Sequence, residues 1–242
     1  MHRHFLVAAV LATVSLLMSS EANFATYKLS LHWPAAACND PASFECKPNV
    51  LNTFTIHGLW PQFANGNPVR PYDPETNRCT DVIPVNSDQI LNLMTPLQDF
   101  SRKLWPNYKD YQNQTVNENC WKYEWKLYGM YSDSADNPYR YFSTALSLAI
   151  KYIDPYKGTR IVPRLVPYMA KDISDAIKEN LGVYPQIACN EVRGIVQLKE
   201  VRLCFTRDKE NPPSVLQDCP RRYANKCSDE TNEITFIPHL IG

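Results

Sequence analysis

Residues 54–62 read FTIHGLWPQ, and this stretch decides how the rest of the chain is interpreted. The residues from Thr53 to His57 predict a β-strand, because β-branched and aromatic side chains favour extended backbone. A lone histidine in a strand is more often structural than catalytic. The role of His57 therefore has to be inferred from the segments on either side of this strand.

Those segments mix strands and helices without regular alternation. Upstream, apolar and polar residues alternate over residues 27–33, which predicts a strand with one buried face. Residues 38–48 are rich in prolines and small residues and predict a loop. Two further strands are predicted over residues 194–205 and 233–237. Together these segments favour the α+β class.

Three helices are predicted from the spacing of apolar residues and from the residues at their ends. Ser87 is the predicted N-cap of the first helix, which Pro96 interrupts. Asn137 and Pro138 provide the N-cap and first turn of the second, and Gly182 ends the third. The buried face of the second helix is predicted to hold Phe142, Ala145, Leu146, Ala149 and Ile150.

The first 22 residues have the organisation of a secretory signal peptide. Arg3 precedes an apolar run over residues 5–18, and small residues predict cleavage after Ala22. The run is shorter than the roughly 20 residues that a membrane-spanning helix needs. We therefore expect a soluble protein with one domain, residues 23–242, and no membrane partner.

All eight cysteines follow the predicted signal peptide, so they enter an oxidising compartment and are expected to form disulfides. Eight cysteines allow about 105 connectivities, which spacing alone does not separate. A zinc site is disfavoured, because no Cys-x-x-Cys pair occurs and the mature chain holds only His32, His57 and His239. The sequence predicts no metal and no cofactor.

The overall charge offers no general attraction for RNA. The 25 lysines and arginines balance the 25 aspartates and glutamates, so any RNA binding needs a local basic site. The sequon Asn113-Gln114-Thr115 predicts N-glycosylation of Asn113 in a surface loop.

Residues 54–62 as a whole resemble the first active-site motif of the plant T2 ribonucleases, and residues 121–129 resemble the second. Residues 31–34 and 104–107 are similar to other segments of that family. The resemblance implies the T2 fold, a central antiparallel sheet with flanking helices, and makes His57 the ancestral catalytic histidine. In that family two histidines transfer protons while a 2′-hydroxyl attacks the phosphorus and a 2′,3′-cyclic phosphate forms.

The second motif departs from the family pattern His-Glu-Trp-x-Lys-His-Gly. Glu124 is retained as a remnant of the catalytic site, but Tyr123 and Tyr128 stand at the histidine positions and Leu127 at the lysine position. Losing one positioned acid or base removes about 10²- to 10⁴-fold of rate. We therefore expect no RNA cleavage. The alternative is a weak T2-type endoribonuclease that pairs His57 with a partner outside the family pattern.

The resemblance also implies residues for recognition of a base. Trp60 is expected to stack on a base, and Asn107 matches a position that holds a base in some plant relatives. His32 stands where those relatives carry a glutamine, on the base side of the cleft. The expected partners are RNA or nucleotides, bound weakly by a monomer.

The resemblance further implies the disulfide pairs. One family bridge joins the region of Cys79 to a position just after the second motif, which is Tyr131 here. Cys120 stands nearby, so we expect the bridge to have moved to Cys79–Cys120. The other expected pairs are Cys38–Cys46, Cys189–Cys227 and Cys204–Cys219.

Analogy with this family suggests a storage or defence protein, secreted or vacuolar. A pistil recognition protein is a further alternative, although the sequence pI of about 6.9 lacks the basic character typical of those ribonucleases.

Overall fold

The computed structural model describes residues 24–39, 46, 51–75, 83–108 and 110–239. The predicted signal peptide and Cys79 lie outside these residues. Within them, no helix combines the length and the apolar character needed to cross a bilayer.

Among the described residues, six strands form one sheet in the order β2-β1-β5-β4-β7, with β6 pairing beside β5. The pairs are antiparallel except β4 with β7, which is parallel. Strands β3 and β8 form a separate two-stranded ladder. The strands are β1 (Thr26–His32), β2 (Thr55–Gln62), β3 (Tyr168–Met169), β4 (Gln186–Val192), β5 (Ile195–Thr206), β6 (Leu216–Gln217), β7 (Tyr223–Asn225) and β8 (Glu233–Ile234).

Helices flank this sheet, which gives the expected α+β arrangement. They are α1 (Pro34–Asn39), α2 (Ile90–Leu93), α3 (Gln98–Leu104), α4 (Gln114–Leu127), α5 (Pro138–Tyr152) and α6 (Ala170–Leu181), with 3₁₀ turns at Thr95–Leu97 and Gly129–Tyr131.

Capping residues and prolines explain why the ends of some helices were predicted correctly. The Asn137 side chain accepts a hydrogen bond from the Arg140 backbone N–H at 3.0 Å, and Pro138 begins α5. Gly182 ends α6 with a φ of 79°, a left-handed conformation that glycine adopts without a Cβ penalty. Pro96 lies in the 3₁₀ turn that separates α2 from α3, as expected of a residue without a backbone N–H.

Several predictions about these elements were wrong. The strand predicted over residues 233–237 ends at Ile234. Ser87 does not cap α2, which begins after Gln89 without a side-chain cap. Ile150 is 60% exposed rather than part of the buried face of α5. Cys38 lies in α1 and not in a loop, since α1 begins directly after β1 with Pro34 at its first position. The second strand is longer than predicted and runs on to Gln62.

Strand β1 is buried on both faces, although its alternation predicted one solvated face. Its apolar side chains pack into the core below α5, whose Tyr141 hydroxyl donates to the Leu59 carbonyl at 2.9 Å. The polar side chains of Lys28, Ser30 and His32 are also buried. Buried polar groups need partners, so the second face of the sheet must carry its own network of hydrogen bonds.

Disulfides among the described cysteines join Cys38 to Cys46, Cys189 to Cys227 and Cys204 to Cys219. These pairs equal three of those that the resemblance implies. Cys120 forms no disulfide with another described cysteine. Its expected partner Cys79 lies outside the described residues, so the Cys79–Cys120 pair stays a prediction.

A buried ion pair fixes the start of the described chain to the sheet. The Arg207 Nε lies 3.0 and 3.1 Å from the two carboxylate oxygens of Asp133, and its Nη1 donates to the Phe24 carbonyl at 2.7 Å. The Tyr27 hydroxyl donates to the same carboxylate at 3.0 Å. Both charged side chains are largely buried, at 9% exposure for Arg207 and 11% for Asp133.

Replacing Asp133 by alanine should lower the free energy of unfolding by about 3 kcal/mol or more, because the Arg207 guanidinium would stay buried without its counter-charge. Urea-induced unfolding measures this loss. The control is Glu191→Ala, which breaks an exposed pair with Lys226 and should cost less than about 1 kcal/mol. Equal losses of unfolding free energy in the two variants would contradict a stabilising role for the buried Asp133–Arg207 pair.

Candidate functional site

A β-bulge places His57 on the polar face of the sheet. Ser30 pairs with Gly58 and the next residue, Leu31, pairs with Ile56, so His57 is the extra residue on β2. Bulges re-aim side chains in this way and occur beside active sites. The imidazole of His57 consequently stacks on that of His32, with ring centroids 3.9 Å apart and planes 18° from parallel.

Both histidines meet the carboxylate of Glu200 on β5. The His32 Nε2 lies 2.9 Å from Oε1 of Glu200 and the His57 Nδ1 lies 3.3 Å from the same oxygen. The first contact is a hydrogen bond. The second is an ion-pair contact, because the Nδ1 is not aligned as a hydrogen-bond donor. The other oxygen, Oε2, accepts hydrogen bonds from the Ser30 hydroxyl and the Arg202 Nε, both at 2.7 Å.

The network continues along the polar face beyond Glu200. The Arg202 Nη1 and the Lys28 Nζ each donate to Oε1 of Gln186 at 3.0 Å. Burial, followed by the positive charges of Arg202 and Arg221, lowers the pKa of Lys28 to about 8. The polar side of β1 thus satisfies its buried groups from β4 and β5.

The protons of this cluster reside on His57 rather than on His32. Burial and then the charge of His57 lower the pKa of His32 to about 4, against the influence of Glu200. Burial also opposes protonation of His57, but the carboxylates of Glu200 and Glu124 outweigh it and raise the pKa of His57. Burial disfavours ionisation of Glu200, yet the adjacent His32, His57 and Arg202 hold its pKa well below the ordinary range. The cluster therefore favours a proton on His57 beside the ionised Glu200, whereas His32 is neutral above a pH of about 4.

His32, His57 and Glu200 bring donor atoms within 4.8 Å of one another, as a metal site would. The stacked rings argue against a preformed site. A metal lies in the plane of each imidazole that binds it, whereas these two planes are nearly parallel and their lone pairs do not converge. One ring would have to rotate before both nitrogens could bind the same ion.

Glu124 reaches this cluster from helix α4. The indole N–H of Trp60 donates to Oε2 of Glu124 at 3.1 Å. A Cβ at Gly58 would overlap both the Trp60 indole and the Glu124 carboxylate, so only glycine lets the helix approach the strand here. Burial is the main cause that raises the pKa of Glu124 to about 7, so this carboxyl group titrates near neutrality.

Three residues depart from the family pattern in the second motif, and each lies in different surroundings. Tyr123 is 60% exposed at the cleft. Leu127 lines a separate depression together with Pro71 and Met130. Tyr128 is the C-cap of α4, and its ring packs 5.4 Å from that of Trp60. Burial and the charge of Glu124 raise the pKa of Tyr128 to about 12, so it remains a phenol.

A cleft of about 560 Å³ opens beside these residues, a size that suits small ligands. Most of the sequence-predicted site residues surround it, and Cys120 and Lys199 join them. The lining is His32, Ala37, Cys46, Ile56, His57, Trp105, Pro106, Asn107, Tyr108, Asn119, Cys120, Tyr123, Glu124 and Lys199.

Trp60 does not line this cleft. It is 8% exposed, with Arg202 above its ring at 5.3 Å and the edge of His57 against it. Stacking of a base on Trp60 stays a prediction, and it requires one of these neighbours to move.

Sequence reasoning missed Glu200, which contacts both histidines, and Arg202, which donates a hydrogen bond to Glu200. The sequence did contain a signal. Glu200 and Arg202 stand two residues apart in a strand rich in apolar residues, so their side chains share one face, and a charge in a central strand needs a partner across the sheet. What the sequence could not show was that β5 lies next to β1.

The fold and the cleft define an α+β protein whose sheet presents two stacked histidines and whose neighbouring helix presents a glutamate. The model of the ribonuclease T2 family matches residues 24–219, and the chain belongs to that family.

Similar proteins cover nearly the whole chain. Ribonuclease 1 of Arabidopsis thaliana is 30% identical over 233 residues, 94% of each chain. A ribonuclease-like storage protein of Panax ginseng is 29% identical over 205 residues, 83% of this chain and 77% of its own length. The crystal structure of RNase NT in complex with 5′-AMP is similar with a TM-score of 0.66 and 27% identity, covering 89% of this chain and 99% of the other.

The two stacked histidines should titrate far apart. In a pH series followed by NMR of ¹⁵N-labelled imidazoles, His32 should titrate at a pKa of about 4 and His57 above the ordinary value of 6.5. Glu200→Gln should lower the pKa of His57, because it removes the neighbouring negative charge. Titration of both rings near the ordinary value, unchanged in the variant, would contradict the ion pair.

Proposed function

We propose that this chain is a secreted member of the T2 family that does not cleave RNA and serves a storage or defence role. The observation that carries the proposal is the absence of a proton-transfer group at position 128. Cleavage needs a base for the 2′-hydroxyl and an acid for the leaving oxygen, which lie roughly in line on opposite sides of the phosphorus. Tyr128, with a pKa of about 12, is mismatched to either task below pH 8.

His32 does not replace the missing partner. Its ring is stacked on His57 at 3.9 Å, so both imidazoles approach a phosphate from the same side. His32 is also engaged by Glu200 and unprotonated at the pH of the secretory pathway, given its pKa of about 4. The stacked pair is therefore a poor substitute for two histidines that face each other across a substrate.

The storage role is supported by a relative that is named for such a role. The Panax ginseng protein is named a ribonuclease-like storage protein, and it shares 29% of its residues with this chain over 205 positions. The cleft that remains supports weak nucleotide binding, since RNase NT binds 5′-AMP on the same fold. Secretion is supported by the predicted signal peptide, residues 1–22, and by the disulfides, which need an oxidising compartment.

Restoring the second motif should restore cleavage. The unmodified protein should form no 2′,3′-cyclic phosphate from RNA between pH 4 and 8. The triple variant Tyr123→His, Leu127→Lys and Tyr128→His should gain about 10³-fold or more in rate, whereas each single variant gains little because the groups act as a unit. Adding His57→Ala to the triple variant should remove the gain.

If the unmodified protein cleaves RNA at an ordinary rate and His57→Ala abolishes that cleavage, the proposal fails. The chain is then the alternative, an endoribonuclease that pairs His57 with a partner outside the family pattern.

Glycosylation of Asn113 is proposed from its sequon and its position. Asn113 is exposed and is the N-cap of α4, where its Oδ1 accepts from the Val116 N–H at 3.3 Å. A glycan attaches to Nδ2, so the cap and the glycan use different atoms. Thr115→Ala should remove the glycan mass and leave the helix capped, whereas Asn113→Ala should remove both and cost a further ~1 kcal/mol of stability. Mass spectrometry of the secreted protein measures the glycan mass, and thermal unfolding measures the loss of the helix cap. A secreted protein without a glycan on Asn113 would refute the glycosylation.

A further inference from the structure

An exposed apolar tip projects from the loop that joins α5 to β3. Within residues 160–167, which form neither helix nor strand, Val162 is 53% exposed, Leu165 69% and Val166 65%. Single exposed apolar side chains are ordinary on a protein surface, whereas a contiguous group of them often marks a contact surface. These neighbouring side chains are the tip of the loop.

Contacts within the loop hold this tip outward. The Arg164 backbone N–H donates to the Phe236 carbonyl at 2.6 Å, and the Arg164 Nε donates to the Val166 carbonyl at 3.1 Å. The Arg164 guanidinium lies 3.5 Å from the centroid of the Tyr168 ring. The Tyr168 hydroxyl in turn accepts from the Val162 N–H at 3.1 Å. The loop therefore presents its apolar side chains in a fixed arrangement, which reduces the conformational entropy lost on binding a partner.

A depression of about 690 Å³ lies beside the tip, between the loop and α6. Arg160 lines its loop side, and Asp172 and Glu179 line its helix side. All three side chains are exposed, and none forms an ion pair with another residue that the structure describes. Asp175, on the same helix side, is paired with Lys171. The two sides of the depression thus carry opposite charges.

This surface is complementary to itself. A two-fold axis through the depression exchanges its two sides, so it would bring the loop of one copy over α6 of a second copy. Arg160 of each copy would then face Asp172 and Glu179 of the other, and each apolar tip would enter the other depression. Exposed ion pairs contribute little affinity. In such a contact the tip would supply the affinity and the charges would set the orientation.

We propose that residues 160–167 and the adjoining face of α6 form an interface with a second copy of this chain, arranged about a two-fold axis. An anionic membrane surface fits this region less well, because it would repel Asp172 and Glu179. The proposal replaces the monomer expected from the sequence with a reversible dimer, and it does not depend on whether the chain cleaves RNA. An interface of one loop and one helix face is small, so we expect a dissociation constant of about 10 to 100 μM.

Sedimentation velocity of the secreted, disulfide-bonded protein tests the proposal at concentrations from well below to well above this dissociation constant. The average mass should rise from that of a monomer to that of a dimer. Leu165→Asp should weaken dimerisation by about tenfold or more, because it buries a charge in the contact. The matched control is Ile83→Asp, at an 86% exposed side chain two residues before Val85, whose carbonyl accepts from the Trp125 indole of α4. This control should leave the dissociation constant unchanged.

Charge-reversal variants test the two-fold arrangement. Arg160→Glu, and separately the double variant Asp172→Lys with Glu179→Lys, should each weaken dimerisation by about tenfold or more, since like charges then face each other. An equimolar mixture of the two variants should dimerise at least as tightly as the unmodified protein, because opposite charges then meet at both contacts. Circular dichroism checks that each variant is folded. Asp172 lies in the first turn of α6, so Glu179→Lys alone is the substitute if the double variant does not fold.

A protein that stays monomeric at every concentration would overturn the proposal. So would dimerisation that Leu165→Asp leaves unchanged, or a mixture of the charge variants that does not recover it. Cosedimentation of the monomer with vesicles of equal parts phosphatidylserine and phosphatidylcholine, lost in Leu165→Asp, would overturn it in favour of a membrane contact.

Discussion

The ionised carboxylate of Glu200, buried in the middle of the sheet, is the constraint on which the polar half of this protein depends. An ionised carboxylate in a protein interior is costly unless it is paired and hydrogen-bonded. Arg202 and Ser30 satisfy one oxygen and the two histidines the other. These partners come from β1, β2 and β5. The carboxylate therefore holds polar side chains of three strands in fixed positions relative to one another. His57 keeps its place through this network, independently of whether any substrate is turned over.

Local signals in the sequence predicted the parts of the fold that depend on neighbouring residues. Asn137 with Pro138, and Gly182, marked helix ends correctly because their effect is confined to a single turn. The second face of β1 was not predictable. The Ser30 hydroxyl donates to Glu200, which lies 170 residues further along the chain. The alternating pattern of a strand does not indicate which other strand will provide partners for its polar side chains. The candidate site was predicted for His57 and Glu124, whose motifs are local, and missed for Glu200, whose role appears only once β5 pairs with β1.

The replacements in the second motif are integrated with their surroundings. Tyr128 packs against Trp60, and the Trp60 indole in turn holds Glu124. Leu127 fits beside Met130 at a depression outside the cleft. At these two positions the helix therefore carries side chains that contribute contact area. This packing holds the end of the helix against the strand beside the two stacked histidines.

Gly58 carries a consequence for how such proteins are recognised. Its missing Cβ is what allows Trp60 and Glu124 to pack against the strand, and this requirement persists whether or not the chain performs chemistry. The stretch over residues 54–62 is thus as much a packing element as a catalytic one. A survey that identifies nucleases by this stretch alone therefore selects for a packing requirement, and the stretch by itself does not report whether a chain cleaves RNA.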